Sequence, residues 1–243
     1  MKLKKFKNNI IYKIYFLYKH VRGRQAINEF YNEVRFYSDL IQGNNLIFDI
    51  GANHGDKSAI FLKVAKKIIA FEPDHTNCEF LHYRFFGNSN FVLVPKAVSD
   101  KAGSTTFFLV NSGSGLNTID TDQKEKLNIS NSYIVETTTL GLMIEKFGIP
   151  DFLKIDVEGH ELSVIRGLSI PIKNISFEAN LPMKLNDSIE IIKLIVGLNS
   201  GYKFNYGLDY GLNSKEWLNE HEIIEYLHVT KEPYLNIYCK LIS

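Results

Sequence analysis

Four apolar runs in this chain each end on a carboxylate: "LIFD" on Asp49, "IIAFE" on Glu72, "FLKIDVE" on Asp156 and Glu158, and "ISFE" on Glu178. Nearly continuous apolar runs are the pattern of strands covered on both faces, as in a parallel sheet between two helix layers. Helical patterns lie between them, in "DKSAIFLKVAKK", "HTNCEFLHYRFFG", "HELSVIRGL" and "SIEIIKLIVGLNSG". This alternation predicts an α/β sandwich with a mostly parallel sheet. A carboxylate is costly to bury alone, so acids repeated at the same end of each strand require a shared hydrophilic crevice. Ligands of open α/β sheets bind at the carboxyl ends of the strands, and the site is expected there.

The remaining elements follow from the same patterns. "FVLVPKAVSD" reads as one strand and "STTFFLV" as a short added one. Residues 111–123, rich in Gly, Ser, Asn and Asp, read as a mobile loop, and "TTTLGLMIEKFG" as a helix with Thr caps. "YKFNYGL", a helical "EIIEYLHV" and "YLNIYCKLI" close the chain. A chain of 243 residues suits one large domain better than two small ones. Phe30, Val34, Tyr37 and Ile41 form a helical stripe with Gly43 as its stop signal. The division drawn is a basic, aromatic-rich N-terminal helical segment, 1–42, before a main domain, 43–243.

Charge excludes some functions. The net charge of +1 leaves no global footprint for nucleic acid. Residues 1–24 are basic without an acid, and Ile10, Ile14, Leu17, Tyr18 and Val21 recur there at helical spacing. Peripheral contact with an anionic membrane surface is one reading of that stretch; a packing helix with a solvated basic face is the other. No apolar stretch reaches the ~18 residues of a membrane span, and the lysines interrupt any signal peptide. Cys78 and Cys239 show no metal or redox spacing and read as small apolar fillers in a reducing, cytoplasmic setting.

The turn after the first strand, "DIGANHG", selects the ligand. A dinucleotide fingerprint needs G-x-G-x-x-G. Gly51 fits its first position, Asn53 and Asp56 occupy the other two, and Gly55 is out of phase. Asp56 would also repel a pyrophosphate. S-adenosylmethionine has no phosphate and carries a sulfonium and an ammonium, which an acidic crevice complements. Glu72 lies about twenty residues after Gly51, where an acid accepts ribose hydroxyls. An NAD-dependent oxidoreductase is the alternative that the missing glycines oppose.

"DIGANHG", "FEPD", "PKAVSDKAG" and "LKIDVEGHELSVIRG" resemble, in order over residues 45–180, the signature motifs of FkbM-type S-adenosylmethionine-dependent methyltransferases. The resemblance implies a class I, Rossmann-like methyltransferase domain with a seven-stranded sheet whose last strand is antiparallel. It implies O-methylation of a hydroxyl on a sugar, glycan or glycoconjugate. Asp49, Gly51, Ala52, Asn53 and Gly55 would cradle the methionine end of the cofactor, Glu72 would hold its ribose with Pro73 fixing the turn beyond it, and Ala97 and Val98 would border its adenine.

Alternation along "LKIDVEG" puts Lys154, Asp156 and Glu158 on one face and Leu153, Ile155 and Val157 on the other. The polar row suits chemistry, with an internal ion pair of Lys154 as its plainer use. Glu158, at the strand tip, is the first candidate for the base that takes the acceptor proton. Asp156, one pair deeper, is placed to touch cofactor, and His160, Glu178 and Lys154 complete the catalytic candidates. No firm metal set is assigned; Asp156, Glu158 and Glu178 are the oxygen donors that would suit a divalent cation such as Mg²⁺. Ser112, Ser114, Asn117 and Thr118 are candidate hydrogen-bond partners for the acceptor. A binding or scaffold protein on a methyltransferase fold is the competing function of a different class.

Overall fold

The computed structural model describes residues 23–41, 46–111, 113–208 and 210–242. The basic stretch with Ile10, Ile14, Leu17, Tyr18 and Val21 lies outside the described residues, as do Gly43 and Ser112. Helix α1 (Gly23–Leu40) leads to β1 (Leu46–Ile50), α2 (Asp56–Val64), β2 (Lys67–Phe71), α3 (His75–Arg84) and β3 (Phe91–Val94). Next come β4 (Ala97–Val98), β5 (Gly103–Leu109), α4 (Thr121–Lys126) and β6 (Asn131–Thr138). The second half runs α5 (Leu140–Phe147), β7 (Phe152–Ile155), α6 (Glu161–Arg166), β8 (Asn174–Asn180) and α7 (Leu185–Leu198). β9 (Tyr202–Gly207), α8 (Glu220–Val229) and β10 (Tyr234–Leu241) finish it.

The main sheet has seven strands in the order β3-β2-β1-β7-β8-β10-β9. β1 is parallel to β2 and β7, and β7 to β8, whereas β10 is antiparallel to both β8 and β9. This is the expected sheet with its antiparallel last strand. Every residue of β1 is buried, as a central strand covered on both faces demands. Phe48 and Ile50 join Phe71, Leu153 and Ile155 in one core, closed by Leu140, Ile165, Ile192 and Leu227 from the helices. Ile47, Ile68 and Phe152 face the other way, against Ile60 and Phe61 of α2 and Tyr37, Leu40 and Ile41 at the end of α1. Tyr37, Phe61 and Phe152 meet edge to face or tilted, with centroids 5.0–5.9 Å apart. The predicted α1 stripe thus faces the sheet. Truncating the fully buried Phe61 to Ala is expected to cost ~3–5 kcal/mol.

Three local readings need correction. "FVLVPKAVSD" is two strands, because Pro95 has no N–H to donate and the chain turns there, Lys96 N donating to Val94 O at 2.8 Å. β3 stays in the main sheet while β4 enters a second sheet of order β4-β6-β5. Thr137 and Thr138 belong to β6 of that sheet, and only Thr139 caps α5, its Oγ1 accepting from Leu142 N. Residues 111–123 are not all loop: Asp120 Oδ1 accepts from Gln123 N at 2.9 Å and starts α4. The chain runs outward from β1 through β2 to β3 and then restarts at β7 on the other side. The crevice of such a sheet opens where the direction reverses, at the carboxyl ends of β1 and β7.

Candidate functional site

The turn after β1 is built by backbone contact. Gly51 has φ +78°, and a Cβ there would lie 1.8 Å from the carbonyl oxygen of Asp156. Glycine is required on both counts. The amides of Gly51 and Ala52 both donate to Phe71 O at 3.0 Å, joining the turn to β2. Asn53 follows with φ 48°. Gly55, at φ +76°, starts α2, and a Cβ there would strike Leu81 and Phe85 at 2.6 Å, so its smallness serves helix packing.

Beneath the turn lies an ion network. Asp49 is fully buried, and its Oδ2 accepts from Ser58 Oγ at 2.5 Å. Its Oδ1 has no hydrogen bond but faces Lys154 Nζ at 3.4 Å. Lys154 Nζ also lies 3.2 Å from Asp156 Oδ2 and donates to Gly51 O at 3.2 Å. Although burial alone would lower it, the two carboxylates hold the Lys154 ammonium well above the usual lysine range. Lys154 is therefore the positioning cation of the plainer reading. Asp56 is paired with Arg84 at 2.8 Å, so the repulsion assigned to it from sequence does not act in the crevice.

Glu72 receives the turn. Its carboxylate accepts from Asn53 N at 2.7 Å and Asp74 N at 2.8 Å. Burial nevertheless pushes its pKa up to about 7, against those two hydrogen bonds. Asp74 Oδ1 caps α3, accepting from Thr76 N and Asn77 N. Its Oδ2 takes Asn117 Nδ2 at 2.8 Å and Gly113 N at 3.3 Å. The 113–117 segment is thereby fastened beside Glu72.

At the end of β7, Glu158 adopts φ 56°, a left-handed conformation costing about 1–2 kcal/mol outside glycine. Two contacts impose it. Thr118 Oγ1 donates to Glu158 O at 2.8 Å, and Glu161 Oε1 accepts from Val157 N at 3.0 Å and Gly159 N at 3.2 Å. Burial first, then the charges of Asp156, Glu178 and Glu161, pushes Glu158 up to about 8. Burial likewise takes Glu178 and Glu161 to about 7. His160 Nε2 lies 2.9 Å from Ser99 Oγ, and burial holds it below the usual histidine range.

These pieces surround an open cavity at the carboxyl ends of the strands. Gly51, Asn53, Glu72 and Pro73 line one side, Ala97, Val98 and Phe107 another, and Asp156, Val157 and Glu158 the strand tips. The Methyltransferase FkbM domain family matches residues 49–204 of this chain, a span that contains nearly every one of these residues' elements. The chain belongs to the FkbM methyltransferase family.

A hexuronic acid methyltransferase, AglP, from Haloferax volcanii is 24% identical over 169 residues, covering 65% of this chain and 62% of its own. The crystal structure of an FkbM methyltransferase from Methylobacillus flagellatus superposes with a TM-score of 0.51 at 14% identity, covering 84% of this chain and 47% of that one. The chain thus spans less than two thirds of either relative's length. The structural likeness shares the fold seen here.

Within this FkbM domain the structure gathers Gly51, Asn53, Glu72, Pro73, Ala97, Val98, Asp156 and Glu158 at the cavity, with Ser114, Asn117 and Thr118 of the loop. Asp49, Ala52, Gly55, Lys154, His160 and Glu178 stand outside its lining. Asp49, Gly55 and Lys154 shape the turn, and Glu178 sits on neighbouring β8, its Oε1 accepting from Asn180 Nδ2 at 3.0 Å. Asn117 and Thr118 do not offer free polar groups. The Asn117 amide is taken by Asp74, Asn111 O and Val110 N, and the Thr118 hydroxyl by Glu158 O and Asp120 N. Among the described residues no three His, Cys, Asp or Glu side chains are arranged to hold a metal ion, so Asp156, Glu158 and Glu178 do not form the oxygen-donor set read from the sequence.

Sequence reasoning passed over Asp74, Asn77, Phe107 and Glu161. The signals for two of them were present: Asp74 precedes a helix with the N-cap residue type, and Glu161 opens α6 in a quoted motif. Phe107 arrives from the second sheet, whose existence no local pattern announced.

Proposed function

We propose that this protein transfers the methyl group of S-adenosylmethionine to a hydroxyl of a sugar, glycan or glycoconjugate. The observation that carries the reading is the cavity wall, where Gly51 and Asn53 stand with the carboxylates of Glu72 and Asp156, while the basic side chains near them are already paired: Lys96 with Glu136, Arg84 with Asp56, and Lys154 with Asp49 and Asp156. A pyrophosphate would meet acids there, whereas a cationic, phosphate-free nucleoside meets complementary charge. Asn53 Oδ1 is a buried acceptor without a partner at this wall, which fits an ammonium or hydroxyl donor.

When bound, the cofactor supplies an electrophilic methyl on sulfur. Gly51 and Asn53 would hold its methionine end, Glu72 its ribose hydroxyls, and Pro73, Ala97, Val98 and Phe107 the apolar faces of its base. Glu158, at the open tip of β7, would accept the acceptor's hydroxyl proton at a carboxylate oxygen. With its pKa near 8, about a tenth of Glu158 is ionised at pH 7, so its capacity as a base grows with pH. The name of the AglP relative supports a saccharide acceptor. A cytoplasmic location, with peripheral membrane contact through the basic N-terminus, accompanies this reading. Among the described residues no helix is long and apolar enough to cross a membrane.

Calorimetric titration tests the reading. S-adenosylmethionine and S-adenosylhomocysteine should bind, NAD should not, and Glu72→Ala should abolish the binding. Absence of binding by the wild-type chain would refute it. Glycans from cells with and without the protein, compared for loss of a methyl-sized mass increment, then identify the acceptor.

A further inference from the structure

Asn77 is the third residue of α3, and its side chain is not needed to start the helix, since Asp74 caps it. It is 2% exposed and lines the cavity, yet its Oδ1 has no hydrogen-bond partner. The orientation of the amide is determined by chemistry. Asn77 is the neighbouring side chain that favours the charged form of Glu72, and only its NH₂ end can do so toward a carboxylate. A flipped amide would set oxygen against oxygen. The Oδ1 is therefore the bare end, and a buried acceptor left bare is destabilising unless something fills it.

Among the described residues none fills it. Gly113 lies over this atom, and a Cβ on it would be 3.3 Å from Asn77 Oδ1. The Gly113 amide is already directed to Asp74 Oδ2 at 3.3 Å. A residue without a side chain thus covers an acceptor without a donor, at the edge of the cavity that Glu72 faces.

We propose that Asn77 reads the nucleoside of the bound methyl donor. Its NH₂ orients the Glu72 carboxylate, and its Oδ1 accepts a hydrogen bond from a donor on the nucleoside, either a ribose hydroxyl or the exocyclic amine. This rests on the cofactor reading above and adds the residue that discriminates among nucleosides. A site built around one buried hydrogen bond rejects ligands that lack the matching group.

The test uses S-adenosylhomocysteine, its inosine counterpart (a carbonyl in place of the amine) and its 2′-deoxy and 3′-deoxy counterparts. Each is titrated calorimetrically into the full wild-type chain and into Asn77→Ala. The wild type is expected to bind S-adenosylhomocysteine and to lose about tenfold in affinity for the analogue missing the read group. Glu72 alone already costs the deoxy counterparts affinity, so the read group is named by the analogue whose penalty shrinks about tenfold from wild type to Asn77→Ala: the inosine counterpart names the amine, a deoxy counterpart that hydroxyl. Asn77→Ala should weaken the parent ligand by a similar factor and lose the part of the discrimination against that analogue that Glu72 does not supply. Wild type that binds all four ligands equally overturns the proposal with no variant needed, and leaves the cofactor reading standing. A folded Asn77→Ala chain that keeps the wild-type discrimination overturns it too. Failure of the wild type to bind S-adenosylhomocysteine at all removes the cofactor reading, and this inference with it.

Discussion

Lys154→Met isolates the ion network beneath the β1 turn. The ammonium stands 3.4 Å from Asp49 and 3.2 Å from Asp156. At an effective dielectric near 20, each contact is worth about 5 kcal/mol of gross attraction. Desolvating the three charges offsets much of that, and Asp156 is partly open to water, with its side chain 36% exposed. Removing one partner of a buried pair typically costs ~3–5 kcal/mol. The upper half of that range applies here, because Asp49 Oδ1 has no other partner and Gly51 O loses its donor. Against a total of roughly 5–15 kcal/mol for a domain, the variant should unfold at much lower urea with an unchanged slope. Asp49→Asn combined with Lys154→Met should recover at least half of the loss. A difference below ~1 kcal/mol at pH 7 would refute the network's assigned role.

Other outcomes follow from the same geometry. Gly51→Ala combines a left-handed backbone with a Cβ 1.8 Å from Asp156 O; it should destabilise by about 3 kcal/mol or more and abolish cofactor binding, read by denaturation and calorimetry. Glu161 is buried with its pKa raised to about 7, so its contribution to stability is full below pH 4.5 and lost as pH rises toward 7. Glu161→Gln, which retains the oxygen that accepts from Val157 and Gly159, should flatten that part of the melting-temperature profile. The methylation rate should climb with pH through about 8, where Glu158 ionises, and Glu158→Gln should remove the climb while cofactor affinity stays within a few-fold.

Legibility differed by element. The central strands announced themselves because both faces are buried, and their terminal acids marked the crevice before any geometry was known. Gly51, Glu72 and Glu158 were legible because strand position and residue type suffice to place them. The second sheet was not legible, since β4 pairs with β6 some forty residues later and β6 alternates exposed and buried positions among polar residues. Asp56 looked like a cavity anion until Arg84, from α3, turned it away. Lys154 read as part of a reactive row, and only the three-dimensional position of Asp49 distinguishes a reactive amine from a pinned one.

The three-stranded sheet has an evolutionary consequence. It branches from the main sheet between Pro95 and Thr139 and packs its own small core of Ala97, Phe107 and Val135. From it and its loop come Ala97, Val98, Phe107, Thr118 and Ile119 of the cavity wall, whereas the Gly51 turn and Glu72 come from the main sheet. Drift in this branch can reshape the cavity without disturbing β1 and β2. A graft of residues 96–139 between family members accordingly exchanges this whole wall at once, with Ala97, Val98, Phe107 and the loop, while the Gly51 turn and Glu72 are inherited unchanged.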